Sequence, residues 1–307
     1  MRVLITGCAG FIGSNLADRL LSKGHTIVGV DNLAYGLESQ IPDGIEFYAM
    51  DIRDRALRSI CSGVDVVFHL AAKNCITDCQ QNPVETADIN VTGSANVFQA
   101  AHETGVGKVV YAESSALYEG STALPTPESE EAPESFYALS KQAERLFALG
   151  FEQAHGLPMT ALRYFCVYGP RQDYRRTIPP VMSAFIMKLL QGEAPIIYGT
   201  GEKRRDFIHV DDVNDFHEMC MQRGPTDGNV FNVGSGVNYS IRDIYQHISH
   251  LLGVDILPHH EPDFPEEAQE TLADITLAKS VGWEPRVSLV EGLKTMEAFI
   301  RERVLDS

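Results

Sequence analysis

The stretch Thr6-Gly7-Cys8-Ala9-Gly10-Phe11-Ile12-Gly13 decides how this chain is read. It follows a short apolar run at residues 3–5 and opens an amphipathic one at 12–22. Gly7 permits a tight turn, Gly10 lets the backbone approach a pyrophosphate, and Gly13 allows close packing of helix on strand. The helix N-terminus then faces the phosphates. Asp31 stands 18 residues beyond Gly13, at the end of the second apolar run. A carboxylate there binds the adenosine ribose diol and repels a 2′-phosphate, which favours NAD over NADP. Asp51-Ile52 follows the third run. Asp51 either approaches the adenine amine or caps a helix over 53–60.

Outward from the turn, strands are expected at 3–5, 26–30, 45–48, 64–70, 108–112 and 159–163. Each is short and apolar at nearly every position, as strands buried on both faces are. Amphipathic stretches at 12–22, 84–104 and 137–154 alternate with them. That rhythm predicts an α/β fold, a doubly wound parallel sheet of Rossmann type. After Tyr168 the rhythm changes, with a helix at 181–191, a strand at 195–198, a helix at 211–221, a strand at 230–233 and a helix at 240–252. We expect residues 1–168 to form the NAD-binding domain, with a strand and helix from 205–235 returning to it. Residues 169–307 form mainly a smaller C-terminal α/β region for substrate. The acidic, Pro-containing segment 128–134 reads as a surface loop.

The composition narrows the function. With 25 Lys+Arg against 42 Asp+Glu in 307 residues, the net charge is −17. Such a chain repels phosphate polymers and anionic membrane surfaces, so neither nucleic acid nor membrane is an expected partner. No apolar run has the length of a membrane span, and the N-terminus does not read as a signal peptide. Six cysteines without a framework of spacings suggest free thiols in a reducing cytosol.

A second constellation supplies chemistry. Tyr137 and Lys141 are four apart on an expected helix, so both project from one face. Ser114 lies just past the strand at 108–112, at the carboxyl edge of the sheet where ligands bind in such folds. A phenol of ordinary pKa is a poor base at neutral pH, and a neighbouring ammonium favours its phenolate. A serine hydroxyl then bonds the reacting oxygen. Together these make a proton-transfer device for interconverting an alcohol and a ketone beside a nicotinamide.

At this point the chain resembles the extended short-chain dehydrogenase/reductase family, specifically its nucleotide-sugar epimerases and dehydratases. The matching pieces run from the glycine turn through Asp31-Asn32, Asp51-Ile52, His69-Leu70-Ala71-Ala72, Asn90-Val91-x-Gly93, Ser114-Ser115 and Tyr137-x-x-x-Lys141. They continue through Tyr168-Gly169-Pro170-Arg171-Gln172, the segment 205–213, Phe231-Asn232-Val233-Gly234 and Ala273-Asp274-Ile275. The resemblance implies a tightly held NAD, reduced and reoxidised within one turnover, with Ser114, Tyr137 and Lys141 as the catalytic set. It implies NAD contacts from Gly7, Gly10, Phe11, Ile12, Gly13, Asp31, Asn32, Asp51 and Ile52. Further contacts would come from Leu70, Ala71, Ala72, Lys73, Asn90, Tyr137, Lys141 and Tyr164. On the substrate side it implies Ser114 at the sugar, Arg205 at the diphosphate, Tyr198 beside the uridine, position 166 at the phosphates and Thr271 as gate to the C2 substituent. A homodimer through the helices at 84–104 and 137–154 is also implied.

Within that family a 4,6-dehydratase carries an Asp-Glu pair after the catalytic hydroxyl residue. Here Ser115 and Ala116 occupy those places, which favours 4-epimerisation of UDP-glucose and UDP-galactose, with N-acetyl forms admitted by the small Thr271. A dehydratase or 4-keto reductase, a UDP-glucuronate epimerase and a non-catalytic NAD-sensing protein are the alternatives. Glu113 precedes Ser114, and strand alternation points it to the opposite side. Three departures concern substrate: Cys166 replaces an Asn, Phe264 replaces an Arg, and Gln269 stands where a basic residue is common. Two lost charge-assisted contacts weaken binding by roughly 1.5–3 kcal/mol each, unless Arg171, Arg175, Arg176, Lys203 or Arg204 compensates. Elsewhere plainer readings prevail. Cys75 and Cys79 lack partners at metal-ligand spacing, so no metal is expected. His259-His260 reads as a solvated loop, and Trp283 as a packing anchor for a C-terminal helix.

Overall fold

The computed structural model describes residues 1–175, 179–263 and 268–305. Its strands are β1 (Arg2–Thr6), β2 (Thr26–Asp31), β3 (Glu46–Ala49), β4 (Val66–His69), β5 (Lys108–Ser114), β6 (Met159–Tyr164), β7 (Cys166–Tyr168), β8 (Ile196–Tyr198), β9 (Arg204–His209), β10 (Asn229–Val233), β11 (Asn238–Ser240) and β12 (His259–Glu261). The helices are α1 (Phe11–Ser22), α2 (Leu57–Ile60), α3 (Ile76–Gln81), α4 (Pro83–Ala87), α5 (Ser94–Thr104), α6 (Phe136–His155), α7 (Val181–Leu190), α8 (Val210–Cys220), α9 (Ile241–Leu252), α10 (Thr276–Ser280) and α11 (Leu289–Ile300). Among the described residues no helix is long and apolar enough to cross a membrane.

Seven strands form one parallel sheet in the order β10-β6-β5-β4-β1-β2-β3. Alternation along β1 shows why the pattern works. Val3 and Ile5 pack on one face with Leu16, Ala17 and Leu20 of α1 and Phe216 of α8. Leu4 packs on the other with Val97, Phe98 and Ala101 of α5. All three strand residues are fully buried, each contributing on the order of 1.5–3 kcal/mol. The strand order reverses between β1 and β4, and that switch point is where open α/β sheets hold ligands.

The expected elements of the first half are present, with two differences. The helix expected over 53–60 is helical only from Leu57 to Ile60. The helix at 84–104 is interrupted by wide turns over Asp88–Gly93, where buried Asn90 turns inward. Its side-chain carbonyl accepts from Lys73 N (2.8 Å) and its amide donates to Lys73 O (2.9 Å) and Ser140 Oγ (3.0 Å).

Beyond Tyr168, β11-β9-β7 form a small second sheet and β12 pairs with β8. The segment 259–260, expected as loop, is therefore strand, although both histidines remain exposed. Phe185, Phe207, Ile244 and Leu293 centre a separate apolar cluster under α7, α9 and α11. β10 joins the main sheet beside β6. Trp283 stacks on Phe216 of α8, with centroids 4.8 Å apart, and donates Nε1–H to Asp212 O (3.1 Å). Its anchorage thus holds the chain ahead of α11. The segment 128–134 is more than a surface loop. Glu131 pairs with Arg145 and Arg163, and Glu128 accepts from Asn232 N (2.8 Å).

Candidate active site

The glycine turn is built as its spacing requires. Gly7 has φ +73°, and an added Cβ there would meet Ala71 N at 2.8 Å. At Gly13 a Cβ would overlap the Gly7 carbonyl oxygen, so only glycine lets α1 sit this close. No side chain caps α1 at Gly10, leaving its first N–H groups to a ligand. Thr6 Oγ1 accepts from Leu70 N (3.2 Å) and Ala71 N (3.3 Å), fixing the edge of β4 against the turn.

Asp31 ends β2 with its carboxylate accepting from Ala9 N (3.0 Å) and Leu33 N (2.8 Å). Burial pushes its pKa up, and these two bonds oppose the shift. Asp51 accepts from Arg53 N (2.9 Å), from the Arg53 guanidinium and from Asn32 Nδ2 (3.0 Å). The hydrogen bond from Arg53 holds the Asp51 carboxyl down at about 2. Asp51 caps no helix, because α2 starts only at Leu57, on Ala56 and without a side-chain cap; its carboxylate closes a turn at Arg53 and borders the cleft.

That cleft, of about 440 Å³, lies at the switch point. Its wall contains Gly7, Gly10, Phe11, Ile12, Gly13, Asp31, Asn32, Asp51, Ile52, Leu70, Ala71, Ala72, Lys73, Tyr137, Lys141 and Tyr164, and also Ser114. Gln172, from the Tyr168–Gln172 motif, joins them, and so does Tyr35, which no motif marked. Asn90, expected among the cofactor contacts, is not on the cleft wall: it is fully buried and braces Lys73 through its side-chain amide. The glycine cradle, the uncapped helix and the ribose-directed carboxylate fit NAD.

Ser114 ends β5, its Oγ accepting from Ala116 N (3.2 Å). α6 begins on Ser135, whose Oγ accepts from Ala138 N (3.1 Å) and donates to Glu119 (2.9 Å). Tyr137 and Lys141 follow in its first two turns, both buried. The sequence led us to expect a lysine-lowered phenol. Within the protein alone, burial raises the Tyr137 pKa above its ordinary value, and the opposing pull of Lys141 and a Ser114 hydrogen bond does not cancel that. Sequence reasoning also missed Glu144, whose Oε2 accepts from Lys141 Nζ at 2.7 Å. Its signal was present, since a charged residue seven after Tyr137 shares the same helix face. Glu113 also borders the cleft, but its carboxylate is buried and its Oε2 accepts from Arg163 Nε (2.8 Å).

The expected substrate residues other than Ser114 do not border this cleft. The register Cys166↔Phe207 puts Cys166 and Arg205 on one face of the small sheet, and Cys166 packs against the C-terminal cluster. Arg205 donates to Arg204 O (2.9 Å). Thr271 N donates to Arg204 O (3.1 Å), and its hydroxyl accepts from Asp206 N (3.3 Å). Tyr198 is half-buried on β8. Phe264 and Arg176 lie outside the described residues. The other cations expected to compensate have protein partners: Arg171 with Asp18, Arg175 with Tyr35 O, Lys203 with Asp263 and Arg204 with Asn238. Cys79 is buried and donates to Lys73 O.

This geometry agrees with what the chain is similar to. Residues 3–234 match the model of the NAD dependent epimerase/dehydratase family. A UDP-glucose 4-epimerase of Mycolicibacterium smegmatis is 36% identical over 311 residues, covering 97% of this chain and 98% of that protein. The crystal structure of UDP-glucose 4-epimerase from Thermotoga maritima with UDP-glucose superposes with a TM-score of 0.94 at 33% identity, covering 98% and 99% of the two chains. A UDP-N-acetylglucosamine 4-epimerase from Methanobrevibacter ruminantium, in complex with UDP-N-acetylmuramic acid, gives a TM-score of 0.94 at 31% identity, with 99% of each chain covered. With its glycine cradle, its Ser114, Tyr137 and Lys141 on one cleft wall, and this likeness over its whole length, the chain belongs to the NAD dependent epimerase/dehydratase family.

Proposed function

We propose that the chain is an NAD-dependent nucleotide-sugar 4-epimerase, interconverting UDP-glucose with UDP-galactose and accepting the N-acetyl forms. One observation carries the reading. Ser114, Tyr137 and Lys141 share the wall of the cleft that the glycine turn opens, and Ser115 and Ala116 offer no second acid–base pair beside them. The Tyr137 oxygen takes the proton of the sugar's C4 hydroxyl while Ser114 Oγ bonds the same oxygen. The Lys141 ammonium stabilises the phenolate that accepts this proton. The chemistry supplied when NAD is bound is reversible hydride transfer, together with a positive charge, in the oxidised form, that favours the phenolate. After the 4-keto sugar has turned, Tyr137 returns the proton to its C4 oxygen.

Residues 1–168 with β10 and α8 hold the cofactor in this proposal, and the remainder of 169–307 holds the nucleotide sugar through Tyr198, Arg205 and Thr271. Leu139, Leu146 and Phe147 of α6 are 43%, 66% and 48% exposed, which supports a homodimer with α6 at its interface. The test is incubation with UDP-glucose, UDP-N-acetylglucosamine and UDP-glucuronate, followed by NMR for the C4 epimer. Turnover of UDP-glucuronate alone reassigns the substrate. A 4-keto product or net NADH consumption selects the dehydratase or reductase alternative, and no turnover of any of the three defeats the epimerase reading.

A further inference from the structure

α6 carries Tyr137, Lys141 and Glu144 at positions i, i+4 and i+7, so the three stack on its buried face. Glu144 is 0% exposed, and the proton transfer just described makes no use of it. Its Oε2 accepts from Lys141 Nζ at 2.7 Å, while its Oε1 is buried with no hydrogen-bond partner. A fully buried carboxylate beside a fully buried ammonium is costly to keep unless each holds the other charged.

Among the described residues Glu144 is the strongest anion acting on Lys141, and the more distant Glu113 adds a smaller pull in the same direction. From β4, His69 Nε2 stands 3.6 Å from Glu144 Oε1. Burial holds that ring neutral, its pKa pushed down to about 3. From β5, Glu113 is paired with Arg163, which reduces its pull on Lys141, and burial keeps the Tyr111 phenol protonated. From α3, burial raises the Cys79 thiol. From α5, Ser94 contributes a hydroxyl that bonds His69 (2.8 Å) and Asn90 O (2.6 Å). On α6 itself Arg145 is paired with Glu131.

We propose that Glu144 is a positioning residue that keeps Lys141 protonated beneath the cleft, and through Lys141 sets the pH at which Tyr137 ionises. This rests on the reading of Tyr137 as the proton acceptor. Burial alone would pull the Lys141 ammonium down, and the charge of Glu144, followed by that of Tyr137, more than reverses this; burial raises the Glu144 carboxyl itself to about 7, so it is charged at the higher pH where Tyr137 titrates. Without the carboxylate, Lys141 sheds its proton before Tyr137 does, and the phenolate loses its cation. Direct repulsion between Glu144 and Tyr137 would act with the opposite sign, so the two routes are separable.

The experiment is an ultraviolet difference titration of phenolate in the NAD-loaded protein, with Tyr137→Phe subtracted to isolate one phenol. In Glu144→Gln the Tyr137 titration moves to higher pH, by about one unit or more. In a Lys141→Met background the same substitution produces no upward shift. A downward shift or none in Glu144→Gln, or an upward shift that persists without Lys141, overturns the proposal. Should Glu144→Gln fail to fold, Glu144→Asp is read in its place and must shift in the same direction. The titration needs no sugar turnover, so loss of this inference and loss of the epimerase reading are separate results.

Discussion

His217 lies on α8, fully buried, and its ring braces Tyr164 on the cleft wall. Nε2 stands 2.6 Å from the Tyr164 hydroxyl and Nδ1 3.2 Å from Asn214 Oδ1. The amide oxygen can only accept, so Nδ1 carries the proton and Nε2 accepts from the phenol. A second proton has no place without breaking the Tyr164 bond. Burial pushes the His217 pKa from 6.5 down to about 3. The unfolded chain therefore takes up a proton that the folded chain refuses. Stability supplied by neutral His217 is complete above pH 6.5 and is lost as pH falls from 6.5 toward 3. Between about pH 7.5 and 5.5 the loss is about 1.4 kcal/mol, a tenfold change in the folding equilibrium, and each further unit adds about as much until the folded pKa is reached. Urea unfolding of the wild type and His217→Gln at the two pH values isolates this contribution, because all other titrating groups are common to both. The wild type should lose about 1.4 kcal/mol more than the variant on acidification. Equal losses, or a larger loss in the variant, would refute the reasoning.

Replacing Tyr137 by Phe should cut kcat roughly 10²–10⁴-fold while NAD still co-purifies, checked by epimer NMR and by chromatography of nucleotide released from denatured protein. Gly13→Ala forces a methyl into the Gly7 carbonyl. It should cost about 1–3 kcal/mol in urea unfolding and abolish NAD co-purification. Arg163→Met strands the buried Glu113 carboxylate and should destabilise by about 3–5 kcal/mol, measured the same way. Asp31→Asn removes the ribose-directed charge and should narrow the preference for NAD over NADP, read from the two dissociation constants.

The cofactor half was legible in the sequence because its rules are local. A glycine that must adopt positive φ, a glycine that must lack Cβ and a carboxylate at a strand end each leave a mark at fixed spacing. The central strands were equally readable, since residues such as Val3, Leu4 and Ile5 are buried on both faces. β9 was not, because Arg204, Arg205 and Asp206 break its apolar run and their charges are met by distant segments. Asp206, for example, accepts from Ser235 N (2.6 Å) and Ala273 N (3.1 Å). The motif of Asn90 was visible, but its burial was not, because its partners Lys73 and Ser140 lie 17 and 50 residues away. Glu144 was overlooked because its spacing puts it on the Tyr137 face of α6 but does not show that it meets Lys141 there in a buried pair.

The central claim is that one carbon of the sugar is oxidised and re-reduced within the cleft, with its hydrogen held by the cofactor and its proton by Tyr137. UDP-glucose deuterated at C4, incubated with the NAD-loaded protein in ordinary water, tests this most directly. The account predicts UDP-galactose that retains the deuterium at C4. Product that has exchanged this label for solvent hydrogen would contradict it.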